Sequence, residues 1–302
     1  MENPVNFGVT LAGGTHVTVK TFEPIAVMEA IQKEKATCGL LVPTMINMLN
    51  NHPRVREYDL RSMRWVFYGA SPIAPEVLKR AIEVFGCEFI QLYGMTEAAP
   101  ILTVLLPEDH KKPELLSAAG RQAIGVEVRV VDEEGNDVAP GEVGEVIARG
   151  PNIMAGYWGK PLETEEALRD GWYWTRDMAR IDENKYIYIV DRAKDMIVSG
   201  GENVYSVEVE AVLYEHPAVL EVAVIGVLDE KWGEAVKAVV VLRPGATVKE
   251  KELIAFCKQH IASYKAPKSV DFVDEIPKSG AGKVLKRILR EKYWEGRQRR
   301  VN

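Results

Sequence analysis

Residues 65–94 read WVFYGASPIAPEVLKRAIEVFGCEFIQLYG, and this stretch decides the fold. Trp65-Val66-Phe67-Tyr68 has the aromatic and β-branched composition of a strand. Pro75 suits the first turn of a helix, where its missing N–H has no partner to lose. Val77, Leu78, Ala81, Ile82 and Phe85 recur at helical spacing, and Gly86 closes the helix. Glu88-Phe89-Ile90-Gln91-Leu92 is a second strand. Strand, helix and strand at these lengths predict parallel neighbours joined by a right-handed crossover.

The alternation extends upstream. Pro24 opens a helix with Ile25, Met28 and Ile31 on one face, and the apolar run Gly39 to Val42 follows as a strand. Downstream, residues 120–190 change character. Short β-rich runs (Val126–Val131, Val143–Ala148, Tyr186–Val190) are split by turn chemistry such as Asp132-Glu133-Glu134-Gly135-Asn136-Asp137. They predict an antiparallel sheet or small barrel. From 196 the pattern changes again: Met196-Ile197-Val198, a Gly200-Gly201 turn, a helix near 206–215, and strands at Val222–Val227 and Val236–Leu242. Helices near 249–261 and 284–293 complete it. The expected fold class is α/β plus α+β. A parallel α/β subdomain (1–115) and a β-rich subdomain (116–192) form a partial N-terminal domain, and 193–302 forms a small, mobile C-terminal α+β domain.

The totals narrow the function. The 302 residues are 47% hydrophobic and 27% charged, ordinary for a globular chain, with room for two or three cores. The net charge of −6 argues against nucleic acid or an anionic membrane as partner. Cys38, Cys87 and Cys257 are scattered without C-x-x-C spacing, which fits a reducing cytoplasm rather than a disulfide framework or a zinc knot. His16, His52, His110, His216 and His260 show no ligand spacing. No transmembrane run and no signal peptide is found. The basic tail, Arg297, Arg299 and Arg300, reads as a solvated end.

Three features could carry chemistry. The loops Gly69-Ala70-Ser71 and Tyr93-Gly94-Met95-Thr96-Glu97 follow strands, where open α/β sheets bind ligands. Small residues admit a flat base close to the backbone; Tyr93, Thr96 and Glu97 offer an aromatic face, a hydroxyl and a carboxylate for a cation. Asp177, after Trp172-Tyr173-Trp174-Thr175-Arg176, could accept from vicinal ribose hydroxyls, with Arg192 nearby in sequence. Pro277-Lys278-Ser279-Gly280-Ala281-Gly282-Lys283-Val284 is not a Walker loop, since Pro277 and Val284 break that pattern. It places Lys283 on a flexible glycine loop. On spacing alone the bland reading is favoured for each: βα turns with Tyr93 packed and Glu97 solvated, a turn residue at Asp177, surface charges at Arg192 and Lys283.

In order, Q-L-Y-G-M-T-E, G-Y-W-x-x-P-x-x-T, W-Y-W-T-R-D, D-R-A-K-D-M-I-V-S-G-G-E-N-V and P-K-S-G-A-G-K resemble the adenylate-forming superfamily, in particular its fatty-acyl-CoA ligases and medium-chain or aryl-acid ligases. The resemblance covers essentially the whole chain. It implies that Gly69, Ala70 and Ser71 line the adenine site, that Tyr93 stacks on the base, and that Gly94 and Met95 belong to the ATP/AMP site. Thr96 contacts phosphate, and Glu97 helps hold Mg²⁺. Asp177 and Arg192 hold the ribose, and Lys194 is the hinge between domains. Ser199, Gly200 and Gly201 edge the path of coenzyme A's pantetheine arm, and Lys283 acts in adenylation. Trp232-Gly233-Glu234 matches a structural element. The implied reactants are ATP, coenzyme A and a small carboxylic acid, fatty or medium-chain. The alternative is a nucleotide-binding or interaction module that kept the fold and lost turnover.

The departures are specific. Arg176 stands where the family usually has glycine, and could alter nucleotide affinity or point to solvent. Ser206 replaces a common proline, an expectedly harmless change. Nothing matches the family's Ser/Thr/Gly-rich phosphate loop. The expectation is therefore a fragment, inactive alone, or a chain whose remainder is supplied by an upstream chain; its sheet would leave apolar surface uncovered.

Overall fold

A computed structural model describes residues 4–280 and 282–294; the basic tail at Arg297, Arg299 and Arg300 lies outside the described residues. The chain forms two compact units, residues 1–189 and 190–302.

The first unit opens with α1 (Pro4–Leu11), α2 (Pro24–Glu34), β1 (Cys38–Leu41) and α3 (Pro43–Asn51). Next come β2 (Trp65–Gly69), α4 (Pro75–Phe85), β3 (Glu88–Tyr93), β4 (Thr103–Leu105) and β5 (Arg121–Gln122). The sheet order is β1-β2-β3-β4-β5. The first three strands are parallel, as the crossover argument requires. Sequence reading missed β4 and β5, which pair antiparallel and make the sheet mixed; β5 has only two residues, too few for any period to show. It also missed α3, whose Pro43 occupies the first turn.

Helix α4 buries Leu78, Ala81 and Phe85 and exposes Glu76, Lys79 and Arg80, the amphipathic division expected at a 3.6-residue period. Its core also takes Met28 and Ile31 from α2, Ile46 and Leu49 from α3, and Val66, Tyr68 and Phe89 from the strands. Burial of each large apolar side chain contributes about 1.5–3 kcal/mol. Leu40, Phe67 and Ile90, in register on the opposite face, are only half-buried.

β6 (Glu127–Val131), β7 (Val143–Arg149), α5 (Pro161–Ala167), β8 (Leu168–Arg169), β9 (Trp172–Ile181) and β10 (Ile187–Arg192) follow. The order is β10-β9-β7-β6, with β8 on β9. Val128 and Val130 face one core with Val146 and Ala148, the alternation of a half-buried sheet. The division between the units falls inside β10, after Ile189.

The second unit contains β11 (Ile197–Ser199), β12 (Glu202–Val204), α6 (Ser206–Tyr214), β13 (Val219–Asp229), β14 (Gly233–Leu242), α7 (Glu250–His260), β15 (Ser269–Phe272) and α8 (Lys286–Glu291). The order is β12-β11-β14-β13, with β15 parallel on β14. β13 is apolar at nearly every position because both faces are covered. Val222 and Val224 join the core under α6 and α7, whereas Ala223, Ile225 and Val227 face that of Leu289 on α8. None of the described helices is long and apolar enough to cross a membrane.

Candidate functional site

In the first unit, the loops at 69–71 and 93–97 leave the carboxyl ends of neighbouring parallel strands, and Gly69 sits opposite Leu92. The glycines serve the protein's own backbone. A Cβ on Gly69 would stand 2.1 Å from the Leu92 carbonyl oxygen, and one on Gly94 1.9 Å from that of Pro100. These separations are too short for any side chain. Close approach of a base, the reason read from sequence, is therefore not the only demand on Gly69. Ala70 adopts φ 72°, a left-handed conformation at the tip of the first loop.

Asp177 is brought to the second loop by a bulge. Glu145 pairs with Met178 and Ile147 with Trp174, so residues 175–177 share the space opposite Val146. The Thr175 hydroxyl donates to the Val146 carbonyl at 2.8 Å, and the Asp177 N–H donates to Thr175 Oγ1 at 3.1 Å. Asp177 is thus a buried residue of β9, 6% exposed, rather than the turn residue that spacing alone allowed. The Tyr93 hydroxyl donates to Asp177 Oδ2 at 3.0 Å, joining β3 to β9. Burial, reinforced by the Asp177 charge, holds the Tyr93 phenol well above its ordinary pKa, so it remains a donor.

Arg176 sits at the apex of the bulge with φ 61°, a conformation that glycine adopts without strain. Its N–H donates to Glu145 Oε1 at 2.7 Å. The side chain is 65% exposed and pairs with Glu166 at 2.9 Å, so it points to solvent. Arg176→Gly should relieve a left-handed cost of about 1 kcal/mol and lose an exposed pair worth no more than that. The expected result is an unchanged or slightly raised thermal midpoint with nucleotide affinity intact. A large fall in affinity would show that Arg176 reaches the ligand.

Glu97 lies in the short turn Thr96–Ala98, with Thr96 exposed beside it. Its carbonyl accepts from the Met154 N–H at 2.8 Å, and its Oε1 from the Tyr157 hydroxyl at 2.9 Å. No group of three or more acidic, histidine or cysteine side chains that could hold a metal occurs among the described residues. A single anchored carboxylate fits Mg²⁺, which keeps waters and takes substrate phosphates as its other ligands.

In the second unit, Ser199 ends β11 and is buried, while Gly200 and Gly201 form the exposed turn to β12. Ser199 pairs with Gly233, and Gly200 N–H donates to the Trp232 carbonyl at 2.8 Å. A Cβ on Gly200 would stand 2.6 Å from the Trp232 ring, which therefore lies directly on the glycine. Glu234 Oε2 accepts from Val198 N–H at 3.1 Å. The two segments, read separately in sequence, are one construction.

Arg192 ends β10, and its carbonyl accepts from the N–H groups of Asp195 (2.8 Å) and Met196 (3.0 Å). The exposed Lys194 gives its carbonyl to Arg290 Nη1 at 3.3 Å, and Asp195 pairs with Arg290 at 2.8 Å. Lys194 and Asp195 are thereby tied to Arg290 of α8. The loop of Lys283, read from sequence as a flexible glycine loop, is tied at its ends. Lys278 and Val284 form a β-bridge. Ser279 N–H donates to the Lys283 carbonyl at 2.8 Å, and Lys283 N–H donates to Ser279 Oγ at 3.2 Å.

Sequence reasoning missed the group behind this loop. Lys286 Nζ is 2.6 Å from Glu210 Oε1 and donates to Ser206 Oγ at 2.5 Å. Asp191 Oδ2 accepts the Ser206 N–H at 2.7 Å. Burial pushes the Asp191 and Glu210 carboxyls up, and Lys286 pulls against it. Burial lowers the Lys286 ammonium, but the two carboxylates together hold it above its ordinary value. Ser206 was expected to be a harmless replacement for proline, yet both its N–H and its hydroxyl are used here. Proline could supply neither.

A family model described as AMP-binding enzyme matches residues 2–158, and one for the AMP-binding enzyme C-terminal domain matches 208–283. Fold and motifs together define an adenylate-forming class of protein, and the chain belongs to the AMP-binding enzyme family. It is 44% identical over 283 residues to a feruloyl-CoA synthase of an Amycolatopsis species, covering 94% of this chain and 57% of that one. It is 45% identical over 298 residues to the medium/long-chain-fatty-acid–CoA ligase FadD8 of Mycobacterium tuberculosis, covering 96% and 52%. The amide bond synthetase McbA of Marinactinospora thermotolerans superposes with a TM-score of 0.87 at 41% identity, over 93% of this chain and 57% of that one. ATP-bound MatB of Rhodopseudomonas palustris gives 0.87 at 33%, over 96% and 57%. The chain thus spans little more than half the length of these relatives.

Proposed function

We propose that this chain is the C-terminal part of an acid–thiol ligase that joins a carboxylic acid to coenzyme A through an acyl-adenylate. The observation that carries the reading is the buried Asp177 carboxylate, set by a bulge against Tyr93 where the 93–97 loop leaves its strand. In the first half-reaction a carboxylate oxygen of the acid bonds to the α-phosphorus of ATP. The bond from that phosphorus to the bridging oxygen breaks, and pyrophosphate leaves. In the second, the thiol gives up its proton to solvent, its sulfur bonds to the acyl carbon, the carbon–oxygen bond to phosphate breaks, and AMP leaves with the electron pair.

The residues divide this work. Gly69, Ala70 and Ser71 border the adenine, Tyr93 packs on it, Gly94 and Met95 complete the ATP/AMP site, and Asp177 and Arg192 take the ribose hydroxyls. Thr96 contacts phosphate. Glu97 holds Mg²⁺, which when bound neutralises phosphate charge and orients the leaving pyrophosphate. Lys283 stabilises the charge of the adenylation transition state. Ser199, Gly200 and Gly201 border the pantetheine arm. Residues 193–302 act as the mobile domain, with its joint at Lys194. The acid is a fatty or medium-chain acid, and the reaction belongs in the cytoplasm, where Cys38, Cys87 and Cys257 remain free thiols.

The test joins the chain to the N-terminal portion that its relatives carry. Release of AMP is followed with medium-chain, long-chain and cinnamic-type acids in turn. Coenzyme A-dependent thioester from the fatty acids is expected. Turnover with an amine but not with coenzyme A would overturn the thiol assignment, and turnover of the cinnamic acids alone would overturn the acyl class.

A further inference from the structure

We infer that Tyr157 is a positioning residue whose hydroxyl fixes one oxygen of the Glu97 carboxylate, leaving the other to a divalent cation bound with a nucleotide. The inference rests on the functional reading above, in which Glu97 meets that cation.

The segment 154–157 grips Glu97 twice, through the Met154 N–H on its carbonyl and the Tyr157 hydroxyl on its carboxylate. Backbone and side chain of one residue are thereby held by one partner segment, 60 positions away for Tyr157. That segment is itself docked. The Tyr157 N–H donates to Thr164 Oγ1 at 2.9 Å, and the Thr164 hydroxyl donates to the Lys160 carbonyl at 2.7 Å, pinning Tyr157 to the first turns of α5. Tyr173, buried on β9, neighbours the Tyr157 hydroxyl from behind.

The chemistry follows from the count of lone pairs. An ionised carboxylate has about four acceptor positions, and one tyrosine hydroxyl consumes one. Mg²⁺ demands near-octahedral geometry and tolerates a misplaced oxygen poorly. A carboxylate free to rotate would have to be ordered at each binding event. One that is already fixed does not, and hydrogen-bond partners of metal ligands typically account for about 10–100-fold in metal affinity.

The experiment uses the chain joined to its relatives' N-terminal portion. ATP binding is measured calorimetrically against free Mg²⁺, with Mn²⁺ binding followed by electron paramagnetic resonance. Tyr157→Phe is expected to leave ATP affinity in EDTA unchanged and to raise the Mg²⁺ concentration for half-maximal effect about 10-fold. Tyr173→Phe should shift it less, in the same direction. In a Glu97→Gln background, adding Tyr157→Phe should change nothing further, since both act on one contact. Additive losses, or a Mg²⁺ curve identical to wild type in both tyrosine variants, would overturn the inference. If the unaltered protein bound ATP with no response to Mg²⁺, the functional reading itself would fall, and this inference with it.

Discussion

Lys283→Ala, made in the chain joined to its relatives' N-terminal portion, should slow acyl-adenylate formation by about 10²–10³, the usual loss when one preorganised stabiliser of developing charge is removed. Negative charge builds between the attacking carboxylate and the α-phosphate, so a cation there helps the transition state more than the ground state. The loop is suited to present one, since Ser279 closes it and the Lys278–Val284 bridge ties its ends. Attack of thiol on a supplied acyl-adenylate should be nearly unaffected, because no phosphorus–oxygen bond is broken in that step. The two half-reactions can be read separately, by pyrophosphate exchange and by consumption of the supplied adenylate. Equal loss in both would assign Lys283 to folding or general nucleotide binding. Loss in neither would make it a solvated lysine.

A second large effect is expected at Lys286, this time on stability. Its side chain is 16% exposed and its partner Glu210 17%. Lys286→Met removes the cation between two carboxyls that burial already pushes up. Removing one member of a buried ionic group typically costs about 3–5 kcal/mol, because the remaining charge keeps its desolvation penalty. The pH dependence identifies the cause. Without the ammonium, the folded state holds Asp191 and Glu210 protonated to higher pH than the unfolded state does. The folded state then binds more protons, so stability falls as pH rises through that window. Denaturant titrations of wild type and variant should therefore differ more on the alkaline side than on the acid side of that window. A gap independent of pH would point instead to lost packing of the methylene stem.

Much of the fold is legible because its elements carry their own punctuation. Pro24 and Pro75 open helices, Gly86 closes one, and the 65–94 stretch places two parallel strands and their crossover within a residue or two. β5 and β15 are not legible, since Arg121-Gln122 is too short to hold a period and Ser269–Phe272 has no apolar run to mark it and depends on β14 for pairing. The same limit applies to the site. Tyr93, Asp177 and Glu97 stand out only as an ordered set of motifs. That Asp177 reaches Tyr93 depends on a bulge whose sole local sign is Arg176 in place of glycine. Lys286, Ser206 and Asp191 were invisible as a group, because contacts 80 and 15 positions apart leave no spacing to read.

The crowding at Gly69 and Gly94 bears on how a substitution survey of this protein should be scored. Both glycines lie in motifs that draw attention as ligand contacts, yet a side chain at either meets a backbone carbonyl within about 2 Å. Lost activity there would report a strand that no longer closes on its neighbour before it reports a lost ligand contact. Expression level and soluble yield should be recorded beside turnover at these two positions. A conservative swap at Tyr93 or Asp177 is the better probe of nucleotide recognition.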